Sequence, residues 1–274
     1  MKYFECRGYR LPLGKKTYIM GILNVTPDSF SDGGKYSGVE AAVEKASEMV
    51  ENGADIIDIG GESTRPGYIP VDAEEEISRV VPVIEILAKR LRVPISVDTN
   101  KGVVAEKALQ AGAHIVNDIW GLQKDPLIAE AAAAYNAGVV MMHNKDDKVY
   151  DDLMKDVKSF LIKSIEIATK AGINRERMII DPGVGFGKTF EHNLEIMRRL
   201  YELKDLELPI LLGTSRKSLI GNILNLPVTE RIEGTAATVA LGIAGGADII
   251  RIHDVAEMYR VAKVTDAIVR GFSK

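Results

Sequence analysis

MIIDPGVGFGK, residues 178–188, is the stretch whose reading decides the fold. Met178-Ile179-Ile180 is a short apolar run between helix-like segments, which reads as a buried parallel strand. The run ends at a carboxylate, Asp181. Pro182 stops the strand there, and Gly183, Gly185 and Gly187 leave the backbone open before Lys188. A buried strand has no use for a terminal carboxylate, but a ligand site at its C-terminal end does.

The same grammar recurs along the chain. Tyr18–Leu23 runs into Asn24, and Ala54–Ile59 runs into Gly60-Gly61-Glu62-Ser63-Thr64-Arg65. Pro94–Val97 reaches Asp98-Thr99, His114–Val116 reaches Asn117-Asp118, and Val139–Met142 reaches His143-Asn144. Pro209–Leu212 leads into Gly213-Thr214-Ser215-Arg216-Lys217, and Ala247–Ile250 into Arg251-Ile252-His253-Asp254. With Met178–Asp181 this makes about eight strands, each followed by a helical pattern, the count of an α/β (β/α)₈ TIM barrel. In a barrel the C-terminal strand ends share one face, so these polar tips are expected to line one pocket.

A chain of 274 residues suits one barrel domain, and 46% hydrophobic content supplies its core. The domain is expected to span 1–274, with 1–16 an N-terminal lead-in segment forming a hairpin at the barrel's lower end. A net charge of −4 gives no global attraction to nucleic acid or an anionic membrane, so any anionic ligand needs local groups. The single cysteine, Cys6, has no disulfide partner and fits a reducing, cytoplasmic setting. MKYFECRGYR lacks the apolar core of a signal peptide, and Thr235–Ala247 is too short and glycine-broken to span a bilayer.

Two loops are long for this fold. Asn24–Gly38 and Gly60–Asp72 exceed the usual 2–6 residues of a β-to-α connection, which marks them as functional. Helical spacing covers Val39–Asn52 and Ala73–Arg90, with Glu74, Glu75 and Glu76 suited to a first turn and Pro82 predicting a kink or break. Lys101–Ala111 and Pro126–Asn136 read as helices stopped at Gly112 and near Gly138. Asp151–Ala171, Phe190–Leu203, Ser218–Leu224 and Val255–Arg270 follow. Thr229–Gly245 is rich in small residues and must pack closely, either on the barrel or on another subunit.

GVGFGKT, residues 183–189, is a near miss for two nucleotide loops. Pro182 stands where a P-loop needs its first glycine, and the dinucleotide fingerprint fails by one residue. The tips carry the stronger signal. A lone carboxylate such as Asp98, ahead of Thr99-Asn100-Lys101, is as readily a helix cap as a ligand group. Asp98 and Asp181 with Asn117 on one face, and Lys217 beside them, suit a flat heterocycle bearing several N–H donors. Arg251, His253, Arg65 and Lys217, with Ser63, Thr64 and Ser218, suit an anion such as diphosphate. Phe30 and Phe186, on glycine-rich loops, can wall an aromatic ligand. No His, Asp or Glu set stands at metal-ligand spacing, so a divalent ion would be Mg²⁺-like, held by a diphosphate and one protein oxygen such as Asn24. No serine has an evident histidine partner, and no nucleophile stands out.

Seven blocks together resemble the dihydropteroate synthase family: NVTPDSFSDGG (24–34), GGESTRPG (60–67), VDT (97–99), VNDI (116–119), DPGVGFGK (181–188), SRKS (215–218) and RIHD (251–254). The resemblance implies a pterin-binding barrel enzyme of folate synthesis. Such enzymes join 4-aminobenzoate to the diphosphate ester of 6-hydroxymethyl-7,8-dihydropterin and release diphosphate. It implies that Asp98, Asn117, Asp181, Lys217 and Met142 hold the pterin. Asn24, Thr64, Arg251 and His253 would take the diphosphate, Asn24 also meeting Mg²⁺. Phe30, Thr64, Arg65, Pro66, Phe186, Lys217 and Ser218 would form the 4-aminobenzoate pocket. Asp98, Lys217, Arg251 and His253 are the expected catalytic residues, with Asp98 stabilising a pterin cation after an SN1-like loss of diphosphate. A homodimer through the last helices is also implied. The chain departs from the family at Asn144-Lys145-Asp146-Asp147, which leaves the fifth loop's contacts open.

Three other readings stand beside this one. A corrinoid-dependent methyltransferase using methyltetrahydrofolate shares Asp98, Asn117 and Asp181 but needs no diphosphate site. A non-catalytic pterin-binding paralogue is argued against by Asn24, Arg65 and Lys217. A phosphorylated-sugar barrel would carry its anion site after strands seven and eight.

Overall fold

The computed structural model describes residues 2–26, 34–62 and 71–271. Its strands are β1 (Tyr3–Cys6), β2 (Tyr9–Pro12), β3 (Tyr18–Asn24), β4 (Ile56–Gly60), β5 (Ile95–Asp98) and β6 (Ile115–Asp118). They continue with β7 (Gly138–Met142), β8 (Met178–Asp181), β9 (Leu211–Leu212) and β10 (Ile249–Ile252). The helices are α1 (Gly34–Glu51), α2 (Ala73–Arg90), α3 (Gly102–Ala111), α4 (Leu127–Ala134) and α5 (Leu153–Lys170). After these come α6 (Phe190–Arg199), α7 (Ser218–Leu224), α8 (Ile232–Gly245) and α9 (Val255–Val269).

β3 to β10 form one eight-stranded parallel sheet in the order β8-β7-β6-β5-β4-β3-β10-β9. The ends of that order meet through a bridge between Ile180 and Ile210, and the Ile180 N–H donates to the Pro209 carbonyl at 3.0 Å. The sheet therefore closes into the (β/α)₈ barrel the sequence predicts. Closure satisfies both edges at once, which an open parallel sheet cannot do.

Two apolar layers follow from the alternation of each strand. Ile19, Ile57, Ile59, Val97, Val116 and Ile250 face outward into the helices. Met20, Ile56, Ile115, Val140, Ile179, Leu211 and Ile249 face inward. The β1–β2 hairpin plugs the lower end, with fully buried Phe4 and Cys6 joining that inner cluster. The plug explains Gly138, since a Cβ there would lie 2.4 Å from the Phe4 ring.

Three local expectations need correction. Gly138 does not stop the fourth helix; it opens β7, and Asn136 (φ +53°) takes the left-handed position instead. Asn reaches that region at less cost than other side-chain residues. Pro82 does not break α2, which runs continuously past it; the carbonyl it frees belongs to exposed Ser78, where water can satisfy it. Glu76 does lie in the first turn of α2, as expected, and is buried there against Lys101. The loop after β3 is also shorter than read, because α1 starts at Gly34.

Candidate active site

Above the apolar inner layer sits a polar one. Asn24, Gly60, Asp98 and Asn117 form one rung across β3, β4, β5 and β6, paired in register Asn24–Gly60, Gly60–Asp98 and Asp98–Asn117. Met142 and Asp181 pair across β7 and β8. From β10, the neighbour of β3, Arg251 reaches into the barrel: its Nε donates to Asp58 Oδ2 at 2.6 Å and its Nη2 to Asp98 Oδ2 at 2.6 Å. Asp58 Oδ2 also accepts the Asn117 Nδ2–H at 3.1 Å. A single guanidinium thus ties three strands together at the mouth.

The MIIDPGVGFGK stretch folds into a turn that walls one side. Asp181 Oδ1 accepts the Gly183 N–H at 2.7 Å, turning the chain as soon as the strand ends. Gly183, Gly185 and Gly187 all have positive φ. A Cβ at Gly183 would lie 1.9 Å from the His143 carbonyl oxygen, and one at Gly187 2.4 Å from that of Lys145. Lys188 then folds back inside the turn, donating to the Gly183 and Phe186 carbonyls at 3.0 and 3.1 Å. The turn wraps Lys217, whose ammonium donates to the Val184 carbonyl and lies 4.8 Å from the Phe186 ring centroid.

The third wall is the turn after β9. Arg216 (φ +57°) is ion-paired with Asp254, which fixes Lys217 and Ser218 at the start of α7. Ser215 Oγ lies 2.9 Å from His253 Nδ1 and accepts the His253 backbone N–H at 3.1 Å. A cavity of about 870 Å³ opens among these elements, lined by Asn24, Asp98, Phe186, Lys188, Lys217, Ser218, Arg251 and His253, among others. Asn117, Asp181 and Met142 are not in its lining. They are buried at the strand ends, with Asn117 bonded to Asp58 and Asp181 acting electrostatically on Lys217 and Arg251. Phe30, Thr64, Arg65 and Pro66, together with Ser63, lie outside the described residues.

Crowding charges at a closed mouth shifts their protonation. Burial pushes the Asp98 carboxyl up to about 7, against the downward pull of Arg251 and with the repulsion of Asp58. Burial likewise raises Asp181, opposed by Lys217. Lys217 is brought down to about 8 by burial, with Asp181 holding it up. Burial also works against the charge on Arg251, but Asp58 and Asp98 outweigh it and keep the guanidinium protonated. An acid near 7 and an amine near 8 in one cleft form the kind of pair that working sites contain.

Sequence reasoning missed three groups. Asp58 lies one inward step below the rim inside the apolar run IIDIG, where only its charge in a buried strand could have flagged it. Lys188 reads in sequence only as part of a near-miss nucleotide loop, and nothing local marks its place inside the turn. Buried Glu62 and Glu76 share half-buried Lys101: Lys101 Nζ lies 2.6 Å from Glu62 and 2.5 Å from Glu76, and Glu62 also accepts the Val71 N–H at 3.0 Å. That carboxylate ties the two described ends of the second long loop. The helix-cap reading of Asp98 fails, since α3 is capped by Lys101 without a side-chain bond and Asp98 faces Arg251.

Among the described residues no group of three or more His, Cys, Asp or Glu stands close enough to hold a metal ion. Asn24 supplies a different kind of donor. Its Oδ1 faces Gly60, at 3.7 Å from where a Cβ would stand, beside Asp98 and on the cavity wall. One neutral oxygen suits a Mg²⁺ ion that keeps its waters and arrives with phosphate oxygens.

Comparison with known proteins agrees with this geometry. The profile of the pterin binding enzyme family matches residues 20–253. A dihydropteroate synthase of Clostridium beijerinckii is 57% identical over 94% of this chain and 96% of its own length. That of Bacillus subtilis is 54% identical over 93% and 89%. Among solved structures, the Clostridium difficile dihydropteroate synthase in the presence of pteroic acid superposes with a TM-score of 0.93 at 56% identity, covering 95% of this chain and 99% of that one. The Xanthomonas albilineans dihydropteroate synthase with 4-aminobenzoic acid gives 0.92 at 42% identity, covering 97% of each chain. The chain belongs to the pterin binding enzyme family, within its dihydropteroate synthase group.

Proposed function

We propose that the mouth of this barrel joins 4-aminobenzoate to the diphosphate ester of 6-hydroxymethyl-7,8-dihydropterin, giving 7,8-dihydropteroate and diphosphate. The observation that carries the reading is the convergence of Asp98, Asn117, Asp181, Lys217 and Arg251, from five different strands or strand ends, on one mouth. Carboxylates and an amide oxygen match the N–H edge of a pterin, and Met142, buried at the end of β7, would pack beneath it. Arg251 and His253 face the same cavity as Asn24 and suit the diphosphate.

The mechanism follows from those charges. The bond from the pterin's exocyclic methylene carbon to the diphosphate oxygen breaks, and the electron pair leaves with the diphosphate. Arg251 and His253 stabilise that leaving charge. Asn24 Oδ1 would hold a Mg²⁺ ion arriving with the diphosphate, and that ion would supply further neutralisation of the leaving charge. The ring is left cationic, and ionised Asp98 stabilises it. The 4-aminobenzoate nitrogen then attacks the methylene carbon and gives up a proton to solvent. No protein nucleophile takes part. Phe186 and Lys217 stand at the edge where 4-aminobenzoate would enter, with exposed Ser218 beside them for its carboxylate.

We also infer a homodimer and a cytoplasmic location. The glycines of α8 serve packing within the subunit: a Cβ at Gly242 would lie 2.2 Å from Leu212 of β9, and one at Gly234 2.2 Å from Ile220 of α7. The outer side of α8 is open. Ala237, Leu241 and Ala244 on α8, with Val264, Ile268 and Val269 on the α9 it packs against, are exposed, which suits a second copy. Among the described residues no helix is long and apolar enough to cross a membrane, and the free thiol of Cys6 is buried.

Diphosphate release measured with each substrate alone and with both tests the activity. Release that needs both supports the reading, and release without 4-aminobenzoate at the same rate overturns it.

A further inference from the structure

Asp58 does not reach the cavity, yet it holds two groups that do the work at the mouth. It is fully buried, on β4, in the inward-facing layer paired in register with Ser96. One oxygen, Oδ2, takes the Asn117 Nδ2–H at 3.1 Å and the Arg251 Nε–H at 2.6 Å. The other, Oδ1, has no partner, and neither has Asp98 Oδ1. Asp98 is therefore joined to Asp58 only through Arg251, whose Nη2 it accepts.

This arrangement settles a choice the Asn117 side chain could not make alone. A carboxamide offers an acceptor at one end and donors at the other, and the two ends have nearly the same shape. An ionised carboxylate accepts only, so it admits the NH₂ end and repels the carbonyl end. With Nδ2 drawn down to Asp58, Oδ1 is the end left for a ligand. The site then reads a donor there and rejects a ring edge that presents an acceptor. The same carboxylate fixes Arg251 through Nε, which aims the fork of its guanidinium rather than leaving a flexible cation to be ordered when the anion arrives.

We propose that Asp58 is a positioning residue that sets which end of the Asn117 amide faces the heterocycle and which way Arg251 points at the anion. The inference rests on the pterin diphosphate reading of the mouth. It makes specificity for the heterocycle depend on a residue that never touches it, as outer partners do for metal ligands.

Calorimetry on the full chain separates the two arms, using 6-hydroxymethylpterin without its diphosphate as one probe and inorganic diphosphate with Mg²⁺ as the other. Asp58→Asn should weaken both about tenfold to a hundredfold, the usual loss when a charged hydrogen-bond partner is removed. The KM for 4-aminobenzoate should stay within about twofold of wild type, since neither bond leads to that pocket. In an Asn117→Ala background the same substitution should no longer affect the pterin probe while still weakening diphosphate. An equal effect on the pterin probe with and without Asn117, or both probes binding Asp58→Asn as they bind wild type, overturns the proposal. Wild-type protein that binds neither probe overturns the pterin reading and this inference with it, and shows itself before any variant is made. Should Asp58→Asn not fold, selective ¹⁵N labelling of asparagine in wild-type protein decides. The Asn117 NH₂ should exchange far more slowly than exposed side-chain amides, and exchange at their rate overturns the proposal.

Discussion

The Nζ of Lys188 lies 2.8 Å from Nδ1 of His143, joining the glycine turn after β8 to the end of β7. An ammonium has three N–H donors, and all three are used here, on His143, Gly183 and Phe186. With 4% of Lys188 exposed, the charge has left water only because the turn replaces its hydration. Burial brings Lys188 down to about 7, although Asp181 favours its charge, and takes His143 down to about 3. His143 is therefore neutral and able to accept. The pair is the internal clamp of the turn that carries Phe186 and shapes the pocket around Lys217.

Lys188→Met keeps the length and removes the donors. It should cost on the order of 3 kcal/mol in urea unfolding, because three acceptors lose their partner. It should also raise the KM for 4-aminobenzoate more than that for the pterin, since Phe186 loses its anchor. Unchanged stability would show that the clamp is not needed.

Gly183→Ala should cost at least about 3 kcal/mol, because its methyl would meet a carbonyl oxygen at 1.9 Å on a backbone with φ +69°. Gly14→Ala is the matched control. It too has positive φ (+88°) but nothing within 4 Å, so about 1 kcal/mol is expected. Equal losses in the two variants, measured by urea titration, would mean that φ rather than the close approach to His143 explains Gly183.

The pH dependence follows from Asp98 and Lys217. Asp98 must be ionised to stabilise a cation, so kcat/KM should climb as pH rises through about 7. Lys217 must keep its proton, so activity should fall above about 8. Stability has its own sign. Asp98 is raised from 3.8, so its contribution is complete below about pH 4 and is lost as pH rises through 7. Lys217 is lowered from 10.5, so its contribution is present above that value and is lost as pH falls through 8. Asp98→Asn should remove the acid limb and lower kcat by about a hundredfold or more. Full activity in that variant rules out the cation-stabilising role.

Leu241→Glu with Ile268→Glu should yield a monomer in sedimentation velocity, as both side chains are mostly exposed on the open α8–α9 face. Turnover at saturating substrates should persist, because neither residue lines the cavity. A wild-type chain that sediments as a monomer contradicts the homodimer.

Much of the site was legible because a parallel barrel has a simple rule. Whatever ends a strand ends at the same face, so Asp98, Asn117, Asp181 and Arg251 could be assembled from strand tips without any contact information. Lys217 and His253 followed from the same rule. Contacts inside the barrel were not legible in this way. Asp58 is not at a tip, and its partners lie 59 and 193 residues away in the chain. Gly138 looked like a helix stop because nothing nearby in sequence shows that Phe4 will press against it.

The sequence by itself determined the architecture, the mouth and the residue types gathered there, since strand periodicity and strand ends are local properties that repeat along the chain. Tertiary structure alone decided how those groups use one another. Arg251 is shared between Asp58 and Asp98, Lys188 closes its own turn on His143, and Glu62 and Glu76 share Lys101. The reason is that desolvation and pairing depend on which distant strand stands opposite, and that is fixed only when the barrel closes.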